Sequence, residues 1–309
     1  TQTLSIGFRS IGKASIPLAA TAASLTINAI GNYVLIFGIG PFPVLGVAGA
    51  AIATLFSRFI ELLIIVTYTI KKDVPFKIKT LKAFKWDSTF LYNYFITCFP
   101  VFCNEMLWAL GMTFYKIAFS KLGVQAIASI SVTESIANLF FVLSLGVGNA
   151  ATMMIGQSLG EGKIEGSVIM GKRLMRVSLG IGLLMMVAMM ASSPFIPKLF
   201  NIESEIYSMI TYSLIVIALF QPIKSLNMTS IVGLFRGAAD TRFALFSEAF
   251  SVWCVGVPLS FIAALYFKFP LWAVYLFQNM DEVCKLFLSF ARLKTTKWIK
   301  LIPTEEVEK

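Results

Sequence analysis

The sequence predicts an all-α polytopic membrane protein with eight transmembrane helices. Three observations carry this. Of 309 residues, 57% are hydrophobic and only 14% charged, where soluble domains carry about 25% charged residues. The apolar residues gather into eight runs, each at or above the ~20 residues that cross about 30 Å of hydrocarbon. The cations fall almost wholly in alternate gaps between those runs. Runs of this length favour helices over a β-barrel, whose strands would be shorter and alternate in polarity.

In chain order the spans cover residues 14–38, 46–70, 92–120, 125–157, 168–192, 206–235, 243–267 and 270–291. The fourth exceeds one crossing, so it tilts or continues out of the bilayer. Nineteen cations lie in one set of gaps: Arg9 and Lys13, six lysines from Lys71 to Lys85, four cations from Lys163 to Arg176, Arg236 and Arg242, and five from Arg292 onward. The alternate gaps hold Lys121, Lys198 and Lys268. This bias predicts that the first set and both termini are cytoplasmic, in the plasma (inner) membrane. The net charge of +10 is therefore topological and does not mark a nucleic-acid binder.

Cys98, Cys103, Cys254 and Cys284 lie in predicted spans without metal-like or paired spacing, and are read as reduced thiols. There is no histidine, so proton or cation handling falls to carboxylates. No GxxxxGK[ST] loop is present, which argues against ATP hydrolysis by this chain. No cofactor is expected from these residues.

The basic, polar segment 71–89 divides two spans from six. This organisation gives 1–70 as a partial first lobe, 71–89 as a cytoplasmic linker, 90–292 as a six-helix lobe and 293–309 as a cytoplasmic tail. Phe42-Pro43 and Phe269-Pro270 each open a span, and a cation follows fifteen residues after each proline, at Arg58 and Lys285. This echo pairs the first two helices with the last two, as internal repeats of transporters do.

The runs NYVLIFGIGPFPVLGVAGAAIATLFSRFIE (32–61), CFPVFCNE (98–105), GQSLGEG (156–162) and PIKSLNMTSIVGLFRGAADTRF (222–243) together resemble the multidrug and toxic compound extrusion (MATE) transporters. The likeness covers nearly the whole chain in the expected order. It implies two six-helix lobes, of which this chain would hold the last two N-lobe helices and the whole C-lobe, with four helices not in the sequence that begins at Thr1. It also implies secondary antiport: efflux of organic, often cationic, lipophilic compounds against protons or sodium ions. A lipid-linked-sugar flippase of related fold is the alternative, though it would show more basic residues within spans than Arg58, Lys116, Lys224 and Lys285. A membrane receptor or sensor is the other, and would lack ion coupling.

An ionisable group within a span costs about 2.5–3.5 kcal/mol and so faces a partner or a wet cavity. Glu105 lies near mid-span beside Asn104, five residues after Pro100. The resemblance implicates an acidic residue at this point in cation coupling, making Glu105 the leading coupling residue; a hydrogen-bonded structural carboxylate is the alternative. Glu134, Lys224 and Glu248 are further isolated charges, with function and structure both open. Lys224 could pair with one of the carboxylates, and it departs from the family, whose members often carry an acidic residue on this helix. Asp281, Glu282 and Lys285 cluster on the last helix, where Glu282 and Lys285 share a face. Asn28 and Asn32 project from one face of the first helix. With Thr54 they resemble the remnant of an N-lobe polar site whose aspartate is absent, although interhelical hydrogen bonding alone would also explain them. Arg58 with Glu61, the glycines of GQSLG, and RGAADT (236–241) are read as scaffold, with Arg236 anchored near headgroups. The expected partners are small organic compounds, lipid, and either the missing helices or another chain.

Overall fold

The computed structural model describes residues 1–71, 88–199 and 204–299. Most of the predicted linker 71–89, and the tail beyond residue 299, lie outside the described residues. The chain divides into two compact units, Thr1–Ser88 and Thr89–Lys309, and each is described by itself.

In the first unit a short helix α1 (Gln2–Ser10) precedes α2 (Ser15–Phe37) and α3 (Gly46–Lys71). Gly38 closes α2 in the left-handed conformation (φ 68°), a geometry that costs glycine little. Phe8 of α1 is fully buried against Ile65 and Tyr68 of α3. No span was predicted for residues 2–10, because nine residues cannot cross a bilayer.

The second unit contains α4 (Ser88–Ser120), α5 (Val124–Gly160), α6 (Ile164–Ser192) and α7 (Ser204–Asn227). From Met228 to Phe235 the seventh helix continues as a π-helix. The next span comprises α8 (Thr241–Phe250), a π turn over Ser251–Gly256, α9 (Val257–Phe261) and a second π turn over Ile262–Tyr266. It is followed by α10 (Leu271–Gln278) and α11 (Met280–Leu293). α5, at 37 residues, is about 55 Å long at 1.5 Å per residue, as its long apolar run requires.

Among the described residues, seven helices are long and apolar enough to cross a membrane, from Ser15–Phe37 to Thr241–Tyr266. The eighth predicted span is helical too, but it breaks at Asn279 into α10 and α11. Asn279 donates its side-chain amide to Tyr275 O at 2.7 Å. The break frees a helix N-terminus for Asp281 and Glu282, whose charges the helix dipole favours there. Outward faces are apolar: Leu55, Leu139 and Phe287 are each over 70% exposed. Faces of this kind suit lipid rather than water.

α7 is the hub of the second unit and packs against α5, α6, α10 and α11. Its contact with α6 includes a buried hydroxyl ladder: Ser178 Oγ lies 2.7 Å from Ser225 O and accepts from Thr229 Oγ1 at 2.8 Å. At Gly182 an added Cβ would lie 2.6 Å from Pro222 Cα, so only glycine allows this approach. Of the two glycines in GQSLG, Gly156 faces Gly237 O, whereas Gly160 faces nothing within 4 Å. Tyr115, Phe119, Ile210, Leu214, Leu271 and Val274 form the apolar centre. One polar cavity opens beside it.

Candidate functional site

A cavity of about 480 Å³ lies within the second unit, between α4, α5, α7, α8 and α11. Trp108, Met112, Phe141, Ile217 and Ile231 supply part of its apolar wall. Glu105, Lys224, Arg236, Glu248, Asp281, Glu282 and Lys285 place seven charges on it. They fall into two groups and one remainder.

The first group is centred on Arg236. Its Nη2 reaches Glu105 Oε1 at 2.7 Å and lies 3.9 Å from Glu248 Oε2. Asn104, 3% exposed, donates Nδ2 to the same Glu248 oxygen at 2.6 Å. The predicted site residues Glu105, Asn104 and Glu248 are thus brought together around a cation that was read as a headgroup anchor. That reading is corrected: Arg236 turns inward, with a side chain only 17% exposed. The π-helix explains it. Asn227 and Arg236 both line the cavity, yet nine residues at about 100° each would put them on opposite faces of an α-helix. The wider turns of the π-helix between them take up the difference. A carbonyl of this segment, Val232 O, accepts from Thr152 Oγ1 of α5 at 2.8 Å. A sequence signal existed, since a cation one residue beyond a span sits close enough to reach back.

The second group is centred on Lys285. Its Nζ lies 3.1 Å from both Asp281 Oδ2 and Glu282 Oε1. Tyr115 of α4 also donates to Asp281 Oδ2, at 3.2 Å. Asn227 of α7 donates to Glu282 Oε2 at 2.7 Å and to Glu282 O at 2.8 Å. Room for Tyr115 and Asp281 comes from Gly256, where a Cβ would collide with both. Asn227 and Tyr115 were not singled out from sequence, because a lone amide or phenol in a span looks like ordinary packing.

Lys224 is the remainder. It lines the cavity, yet it makes no ion pair or hydrogen bond among the described residues. Glu134 is absent from the cavity lining and pairs with Lys116 Nζ at 3.3 Å instead.

In the first unit, Asn28 donates to Thr54 Oγ1 at 3.2 Å, and Asn32 donates to Asn28 Oδ1 at 3.1 Å. The three predicted polar residues therefore meet. Glu61, 3% exposed, pairs with Arg58 at 2.8 Å and accepts from Thr21 at 3.0 Å. All four cysteines are free, and no metal-ligating cluster occurs among the described residues.

A bundle of membrane-length helices around an internal cavity lined by paired charges defines a polytopic helical membrane protein of transporter type. The chain belongs to the MATE family of transporters, whose profile, MatE, matches residues 100–262. Members of this family are transporters, not enzymes.

Among curated relatives, the chain is 24% identical over 298 residues to the uncharacterized transporter YisQ of Bacillus subtilis, covering 96% of this chain and 65% of YisQ. It is 26% identical over 299 residues to the probable multidrug resistance protein NorM of Thermotoga maritima, covering 94% and 62%. The chain thus spans less than two thirds of the length of these relatives. Its fold is shared with a MATE family transporter in an outward-facing conformation (TM-score 0.83, 21% identity, 95% and 66% covered). It is also shared with a Pyrococcus furiosus transporter of the MOP superfamily described as having a binding pocket of reverse polarity (TM-score 0.84, 21% identity, 94% and 65% covered).

Proposed function

We propose that this chain forms the ion- and substrate-binding part of a secondary antiporter that exports organic compounds in exchange for protons or sodium ions. The observation that carries the reading is the convergence of Glu105 and Glu248 on Arg236, with Asn104 donating to Glu248, at the wall of a cavity wide enough for a drug-sized ligand. Two carboxylates sharing one guanidinium leave one negative charge over. A proton or a small cation arriving at Glu105, the more exposed of the two at 55%, would satisfy that charge and loosen the arginine. Coupling then has a physical form: ion binding at Glu105 releases Arg236 toward Glu248.

Glu282 and Lys224 belong to the same cavity and would contact the exported compound. Asn28, Asn32 and Thr54 supply a second polar site in the first unit. Lipophilic bodies of substrates would lie on Trp108, Met112 and Phe141, which line the cavity. The cation distribution supports cytoplasmic termini and linker in a plasma membrane protein.

The test is dye movement under an imposed proton or sodium gradient in proteoliposomes of a full-length transporter that carries this segment together with the four further helices the family resemblance implies. Wild type responds to one gradient, and Glu105→Gln, which keeps size and most hydrogen bonds but not the charge, does not. A response retained in Glu105→Gln removes the coupling role from Glu105. Failure of wild type to respond to either gradient overturns the antiport reading.

A further inference from the structure

Lys224 differs from every other charge on the cavity wall. Arg236 is held by Glu105 and Glu248, and Lys285 by Asp281 and Glu282. The carboxylates of the lysine cluster make their direct contacts elsewhere, although two carboxylates on one lysine leave this cluster, too, with one negative charge over. Glu282 Oε1 faces Lys285 and Oε2 accepts from Asn227, while Asp281 Oδ2 receives both Lys285 and Tyr115. Lys224 is left with its ammonium on the cavity wall and no ion pair or hydrogen bond among the described residues. A cation between packed helices is costly until an opposite charge meets it.

The groups around it specify more. Gln221 and Asn227 stand one turn to either side of Lys224 on α7, on the same face, and Gln278 lines the cavity from the end of α10. Gln221 Oε1, Asn227 Oδ1 and Gln278 Oε1 are buried acceptors without a partner. An ammonium and three acceptor oxygens that line one cavity without direct partners among the described residues fit an anionic group flanked by N–H or O–H donors.

We infer that the compound bound in this cavity carries an anionic group, a carboxylate or a phosphate, and that Lys224 receives it. The inference rests on the reading of the cavity as the substrate site. A zwitterion is accommodated as well, because the same cavity wall carries Glu105 and Glu248, two carboxylates that share Arg236.

The test is equilibrium binding, with no gradient, of two related dyes to the purified chain in nanodiscs. Fluorescein supplies an anion, and a rhodamine ester supplies a cation on a similar ring system. Lys224→Gln is expected to weaken fluorescein by about tenfold or more, the size of a lost charge-assisted contact. It should leave the rhodamine ester unchanged or tighter, and Lys224→Arg should retain fluorescein. Unchanged fluorescein affinity in Lys224→Gln overturns the inference. So does parallel loss of both dyes, which would make the lysine structural.

Repeating the measurement with phosphatidylglycerol added to phosphatidylcholine identifies the source of the anion. Competition assigns it to a lipid headgroup, and its absence to a soluble compound. Because no ion gradient enters, a Lys224-dependent anion site stands even if antiport fails, and antiport stands even if the dyes show no preference.

Discussion

Arg236 meets Glu105 at 2.7 Å, so the residue expected to take up a coupling ion already holds a tethered cation. An incoming ion must compete with that guanidinium or, as a proton, dismiss it by neutralising the carboxylate. Glu105 is more than half exposed, which discounts the pair to about 1 kcal/mol.

Arg236→Gln removes the competitor. Affinity of the Glu105 and Glu248 pair for a cationic dye is expected to rise by about fivefold, the equivalent of ~1 kcal/mol. Binding titrations at constant ionic strength measure it, and a fall in affinity would show that the arginine positions the carboxylates instead of competing for them.

Lys285→Met leaves the buried Asp281 and the half-buried Glu282 without their shared cation. Breaking a buried pair from one side costs about 3–5 kcal/mol, so the variant should unfold at a much lower temperature than wild type. The exposed pair Lys163–Glu161, 2.8 Å apart at the surface, provides the contrast. There Lys163 holds the Glu161 carboxyl below its ordinary range, yet Lys163→Ala should leave the melting temperature unmoved.

Gly256→Ala drives a methyl group into Tyr115 and Asp281. Overpacking of this kind costs about 1–3 kcal/mol, and here it also parts the Tyr115–Asp281 hydrogen bond. Gly160→Ala, at a position where a Cβ meets nothing within 4 Å, is the control and should be near neutral. Thermal unfolding of the two variants side by side decides it; equal stability would mean that α4 and α11 give way freely.

Single cysteines at Lys163 and Lys198, in a background without the four native ones, report topology. The cation distribution predicts labelling of the first only from the cytoplasm and of the second only from outside. The reverse pattern would invert the proposed orientation.

Much of the fold was legible in the chain. Predicted limits of 14–38 and 46–70 became Ser15–Phe37 and Gly46–Lys71, because crossing hydrocarbon demands length and apolarity whatever the neighbours do. Asn28 and Asn32 meet because i,i+4 spacing sets a shared face, whereas Thr54, which the family resemblance suggested, joins them from the next helix. Glu134 was less tractable. It had the same standing as Glu248 by sequence, but it points to Lys116 outside the cavity lining.

What the sequence determined by itself was the solvent: which segments cross, where the charges gather, and that a few ionisable groups must be sheltered. Tertiary structure decided the partners. Glu248 finds Asn104 and Arg236, Glu282 finds Asn227 and Lys285, and Lys224 finds no direct partner among the described residues. Hydropathy counts how much of a helix lipid will accept, but says nothing of how the helix is rotated or how deep each residue sits. Those follow from packing between distant segments, from the glycine at 256, and from π turns that bring Asn227 and Arg236 to one wall against the α-helical period.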